Sequence, residues 1–148
     1  MQIILALSLP RDEQTIPVSR HFAVNAMAEI GVSEDCIHDI AIALTEACTN
    51  VLKHSGPCDE FEVSLEVHDD QCAIRVVDMG RGFDSQSPGF GHADPSAEQG
   101  RGIELMRALV DSVRFISKPE AGTIVHLEKT LDFDDSSFAR RRRPAPSV

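Results

Sequence analysis

Glu46, Asn50 and Lys53 follow one another at steps of four and three residues in the stretch ALTEACTNVLKHS, residues 43 to 55. On a helix those steps line up a carboxylate, a carboxamide and an amine on one face. A carboxylate so placed can take a proton from a hydroxyl, and a carboxamide oxygen can ligate a hard cation such as Mg2+. The same spacing also suits an ordinary solvated helix face. The neighbouring face carries Leu44, Ala47, Cys48, Val51 and Leu52, an apolar stripe that would hold the helix on a core.

Two further clusters could add to this chemistry. In DMGRGFD, residues 78 to 84, Asp78 ends a predicted strand, CAIRVVD, in the inward row of Ile74 and Val76. A carboxylate there needs a partner, and accepting from an exocyclic amine would select adenine over guanine. Gly80 and Gly82 allow a sharp turn and a close approach to a ligand, as in any glycine-rich turn. In GRGIELM, residues 100 to 106, Gly100 and Gly102 open a predicted helix whose free N–H groups suit a phosphate that Arg101 could reinforce. A glycine at a helix start is common without that role, and this is neither a P-loop nor a full GxGxxG. Together the clusters supply separate parts of one Mg-nucleotide site: metal ligand and base, adenine acceptor, phosphate cradle. Positioning and charge of that kind are most of what phosphoryl transfer requires.

The elements that must carry these residues can be read from periodicity. Residues 2 to 8 suit a strand. Pro17 opens and Gly31 closes a first helix, and Ser33, with Glu34 and Asp35 behind it, starts the helix that runs to about Ser55. Phe61, Val63, Leu65 and Val67 alternate with polar residues as in a strand with one buried face, and CAIRVVD follows after a turn. Residues 79 to 100 have no period, the length of loop that is usually functional. IELMRALVDSV then reads as a helix, and VRFISK and TIVHLEKTL as a closing hairpin. The order predicts an α+β sandwich with helices on one face of a mainly antiparallel sheet.

Composition narrows the function. A chain of 148 residues suits one domain, and its apolar start is too short for a signal peptide or a membrane span, which makes a cytoplasmic protein the expectation. Cys36, Cys48, Cys58 and Cys72 form no CxxC pair and read as reduced, structural thiols, and the six histidines are scattered. The formal net charge is −10, with four cations gathered at Arg140 to Arg143, so the rest of the chain is more acidic still. That field opposes nucleic acid and anionic membranes and favours a partner with a basic face.

EACTNVLKHS, DMGRGFD, GRGIELM and AGTIVHL occur in the order of the asparagine box and three glycine boxes of the ATPase superfamily that includes gyrase and the histidine kinases. Over residues 2 to 131 the chain resembles, more narrowly, the bacterial anti-sigma-factor serine/threonine kinases. The resemblance implies a Bergerat sandwich, with helices on one face of a mainly antiparallel mixed sheet, over residues 1 to 131. Residues 132 to 148 have few apolar side chains and are expected to form a disordered tail, acidic and then basic. It also implies ATP and Mg2+ as cofactors. Glu46 matches the general base for the acceptor hydroxyl, Asn50 the Mg2+ ligand, and Lys53 a position that contacts phosphate in the histidine-kinase branch. Asp78 matches the adenine-reading aspartate, Gly80 and Gly82 the turn beneath the base, Gly100 and Gly102 the hinge of a lid over ATP, and Thr123 a threonine near the adenine. Family members phosphorylate a small anti-sigma-factor antagonist, bind a sigma factor in competition, and often assemble as homodimers. An ATP-binding module that only sequesters its partner, and a hydrolysis-driven clamp, are the competing functions.

Overall fold

The computed structural model describes residues 1–54, 60–78, 97–118 and 122–134. Strand β1 (Gln2–Pro10) leads through a 3-10 turn at Glu13–Thr15 to helices α1 (Ile16–Glu29) and α2 (Glu34–His54). Strands β2 (Glu60–His68) and β3 (Gln71–Asp78), helix α3 (Ala97–Leu109), and strands β4 (Ser112–Lys118) and β5 (Gly122–Thr130) complete the order. This is the predicted sequence of elements. The sheet order is β1-β2-β3-β5-β4. The sheet is antiparallel as expected, and among the described strands every pairing is antiparallel, with no parallel pair to make it mixed.

Local chemistry sets the boundaries of the helices. Pro17 sits in the first turn of α1, where its missing N–H costs nothing, and Gly31 leaves the helix with φ +87. Ser33 caps α2: its hydroxyl accepts from Cys36 N at 3.4 Å, and its carbonyl accepts from Ile37 N at 2.9 Å. Thr45 and Thr49 return their hydroxyl protons to the carbonyls of Ala41 and Thr45, both at 2.8 Å, so neither interrupts the helix.

The core lies between the helices and one face of the sheet. Ile40, Ala43, Leu44, Ala47, Cys48 and Val51 of α2 are buried against Val63, Leu65, Ile74, Val76, Val125 and Leu127 from the strands. Fully burying each Leu, Ile or Val contributes about 1.5–3 kcal/mol. Along β2 and β3 every second residue is buried, while the residues between them line the opposite face of the sheet. No helix among the described residues is long and apolar enough to cross a membrane.

Two expectations need correction. Helix α3 begins at Ala97 and ends at Leu109, so it neither starts at Gly102 nor reaches Val113. Lys129 Nζ donates to the Leu109 carbonyl at 2.7 Å and closes that end, where a cation suits the helix dipole. The tail is also not disordered from residue 132. Asp134 N donates to the Gly31 carbonyl at 2.8 Å and Ser33 N to the Asp132 carbonyl at 2.7 Å, with Phe133 bridged to Val32. Leu131 and Phe133 are 4% and 6% exposed, so an acidic-looking segment is held down by two apolar anchors. Residues 135–148, with Arg140 to Arg143, lie outside the described residues.

Cys36, Cys48 and Cys72 are buried free thiols, as expected, and Cys58 lies outside the described residues. Burial pushes Cys48 up from 9.0 to about 11 and Cys72 to about 12. Both stay neutral at physiological pH and should resist maleimide in the native state. A folded-state value above the unfolded one means that unfolding releases a proton in between. The stability they contribute is therefore complete below pH 9 and declines as pH rises towards 11 and 12. Urea midpoints at mildly and strongly alkaline pH should show that decline. Phe133→Ala should cost about 3–5 kcal/mol in the same assay, whereas a disordered tail would predict no change.

Candidate functional site

The C-terminal half of α2 and one end of the sheet meet at the same end of the molecule. Arg11, just past β1, donates from Nη2 to the Leu52 carbonyl at 2.6 Å and ties the end of α2 to this edge. In the sheet, Leu9 of β1 pairs with Phe61 of β2, and Phe61 pairs with Asp78 of β3. Asp78 thus closes the strand that continues the register out to Arg11.

Asp78 follows Ile74 and Val76 on the helix-covered face and is 4% exposed. Thr123 is fully buried, next to Gly122 at the start of β5. Val76 pairs with Val125, and Val77 with Ile124, so Asp78 and Thr123 end adjacent strands side by side. Gly122 has φ +80, and a β-carbon there would meet the Asp78 carbonyl at 2.6 Å. Only glycine permits both the conformation and the contact.

A second group gathers where α3 crosses α2. A β-carbon on Gly102 would stand 3.1 Å from Glu46 Oε2 and 3.6 and 3.7 Å from Asn50 Nδ2 and Oδ1. Helix α3 therefore brings bare backbone against the two polar side chains. The expected role of Gly102 is corrected by this geometry. It is the sixth residue of α3, in the second turn, where its N–H belongs to the helix, so it does not offer a free helix-start donor to a phosphate. Gly100, the fourth residue of α3, is still in the first turn, while Gly80, Gly82 and the Arg101 side chain lie outside what the structure describes.

Two atoms here carry a specific chemical message. Among the described residues, Asn50 Nδ2 and Thr123 Oγ1 are buried without a hydrogen-bond partner. Each such atom costs about 1–3 kcal/mol unless something supplies the missing bond. Turning its amide would let Asn50 present Oδ1 in place of Nδ2, the end a hard cation needs. The donor types fit a polar ligand with a cation: a carboxamide beneath α3, and a hydroxyl and a buried carboxylate at one end of the sheet.

Among the described residues, Lys53 and Glu46 line different hollows. Lys53 is exposed and lines a cleft of about 480 Å3 with Arg11, Glu13, Ile16, Thr49 and Leu52. Glu46 instead forms a wall of a hollow of about 300 Å3, with Arg20, His38, Ala41, Ile42 and Thr45. Sequence reading did not single out Arg20, which arrives from α1 through helix packing. Gly122 carried a visible signal, a glycine beside the threonine in AGTIVHL.

Comparison with known proteins agrees with the fold. Residues 9–129 match the histidine kinase-like ATPase domain family. The chain is 30% identical over 139 residues to the serine-protein kinase RsbW of Bacillus licheniformis, covering 86% of each chain. It is 33% identical over 113 residues to the anti-sigma F factor of Pasteuria penetrans, covering 71% of this chain and 75% of that protein. The solved structure of the RsbU and RsbW domains of a Mycobacterium tuberculosis protein shares the fold, with TM-score 0.67 and 22% identity over 87% of this chain and 32% of that one. The chain belongs to the histidine kinase-like ATPase domain family. Within that family it stands among the serine-protein kinases of the RsbW type.

The two glycines should respond differently to alanine. Gly122→Ala meets backbone at a positive φ and should cost about 1–3 kcal/mol in urea unfolding. Gly102→Ala comes tight only against the movable end of Glu46, meets Asn50 at ordinary contact distance and gains helix propensity, so its midpoint should stay close to the parent's. Equal losses would contradict the packing described here.

Proposed function

We propose that this chain is an ATP-dependent protein serine/threonine kinase and anti-sigma factor, which phosphorylates a small anti-sigma-factor antagonist and binds a sigma factor in competition with it. The observation that carries the reading is the double placement of Glu46. On one side it abuts Asn50 and Gly102, and on the other it lines the open hollow with Arg20 and His38. A base between a donor site and an acceptor needs both kinds of access. The names of the relatives support the same chemistry.

In this reading Asn50 would hold Mg2+ by its carboxamide oxygen, and Asp78 and Thr123 would bind the adenine. MgATP supplies the phosphoryl group and the metal charge that offsets the negative charge of the transfer. Glu46 takes the proton from the acceptor hydroxyl as it enters from the hollow. Lys53, which lines the cleft with Arg11 and Thr49, adds a positive charge that attracts phosphate. The acidic chain suits a partner whose contact face is basic.

Calorimetry with MgATP and incubation of radiolabelled ATP with candidate antagonist proteins test the proposal together. Asn50→Ala and Asp78→Ala should abolish measurable nucleotide binding. Glu46→Gln should retain binding and lower label transfer to serine or threonine by about 10²–10⁴-fold. Nucleotide binding with no labelled partner would favour sequestration over kinase activity.

A further inference from the structure

Helices cover the inward rows of the sheet, and its other face carries rows of a different kind. Register sets them side by side across neighbouring strands. Val77 of β3 pairs with Ile124 of β5, and Ile124 with Ile116 of β4, which makes one row apolar. One step further along the same face, Arg75 pairs with His126 and His126 with Arg114, which makes the next row cationic at both ends. The rows lie about 7 Å apart. Ile116 is 38% exposed, and both arginines are exposed as well.

The arginine charges are not spent within the face. Glu128 Oε1 stands 3.0 Å from His126 Nε2, so that carboxylate is engaged by the histidine, although the charge of Arg114 also reaches it. Among the described residues neither Arg75 nor Arg114 is in an ion pair. At β2 the apolar row ends on Glu62 and the cationic row on Ser64, so the basic part of the face is confined to β3, β5 and β4. In a chain of net charge −10 this is a local reversal of sign.

The rows have the dimensions of a helix. Successive turns of an α-helix rise about 5.4 Å, close to the spacing of about 4.8 Å between strands, so one apolar stripe can follow Val77, Ile124 and Ile116. A helix about 10 Å across also covers the neighbouring row, where carboxylates would find two guanidinium groups.

We infer that the outer face of the sheet binds an acidic amphipathic helix of a second protein, laid across β3, β5 and β4. Its apolar stripe rests on Val77, Ile124 and Ile116, and its carboxylates meet Arg75 and Arg114. Charge selects this occupant, because a basic helix would be repelled by the arginines at short range. Asp78 and Thr123 lie on the inward face, so the contact leaves the proposed nucleotide site open.

A labelled helical peptide, with leucines on one stripe and glutamates beside it, tests this when titrated with the full chain and followed by anisotropy and amide shifts. It should bind, shift the amides of β3, β4 and β5, and weaken as salt rises. Arg75→Glu together with Arg114→Glu should weaken it about tenfold or more, and the same peptide with lysines in place of glutamates should bind that double variant in preference to the parent. Ile116→Ser should weaken it about tenfold. MgATP binding and urea midpoints should match the parent's in each case. A glutamate peptide that does not bind, binds with shifts on α2 or α3, or binds no better than the lysine peptide overturns the inference. So does a change in the sedimentation of the chain alone on Ile116→Ser, which would give the face to a second copy, or binding to anionic phosphatidylglycerol vesicles in place of the peptide.

Discussion

Helix α2 has to satisfy two demands along adjacent stripes, and the rest of the molecule is arranged around that constraint. One stripe is fully apolar and buried, which fixes the rotation of the helix against β3 and β5. The next stripe carries Glu46 and Asn50, separated from the first by less than a quarter turn. Any rotation that exposed the carboxylate more fully would lift Ala43 or Ala47 out of the core. The helix is therefore also held at its ends: Ser33 and the Asp132 carbonyl at the start, Arg11 on the Leu52 carbonyl at the finish. A third tether, Lys129 at 3.7 Å from Asp39, links its first half to β5.

Polar groups collect where the apolar packing ends. Through the middle of the sheet the inward row is Ile74, Val76, Val125 and Leu127, and it becomes polar only at Asp78 and Thr123. Burying a carboxylate and two groups without protein partners is unfavourable for a simple scaffold. It becomes reasonable when a ligand supplies the missing hydrogen bonds, and the family match points to a nucleotide as that ligand. Glycine at 102 and 122 serves the same end, because a side chain at either position would intrude on the groups that face the ligand.

Much of this was legible from residue order. The two helices before β2, the alternation of β2 and β3, the Ser33 cap and the inward direction of Asp78 follow from local rules, and the structure reproduces them. The beginning of α3 was not legible, because Gly100 and Gly102 are poor helix formers. Packing against α2 makes them helical regardless, a tertiary effect stronger than a cost of about 1 kcal/mol each. The docking of Phe133 was hidden for a related reason: one aromatic among acidic residues has no period, and its burial depends on Val32, far away in the chain.

By itself the sequence determined which residue types could do chemistry and which face of each element would hold them, since both depend on spacings of a few residues. Glu46 and Asn50 share a helix face for that reason, and Asp78 points inward for the same one. Tertiary structure alone decided who meets whom. It set Gly102 against Glu46 and Gly122 against Asp78, brought Arg20 and Glu46 to the walls of one hollow, and placed Lys53 on the wall of the cleft beside Arg11. Those contacts join residues dozens of positions apart, and only the packing of helices on a closed sheet register selects them.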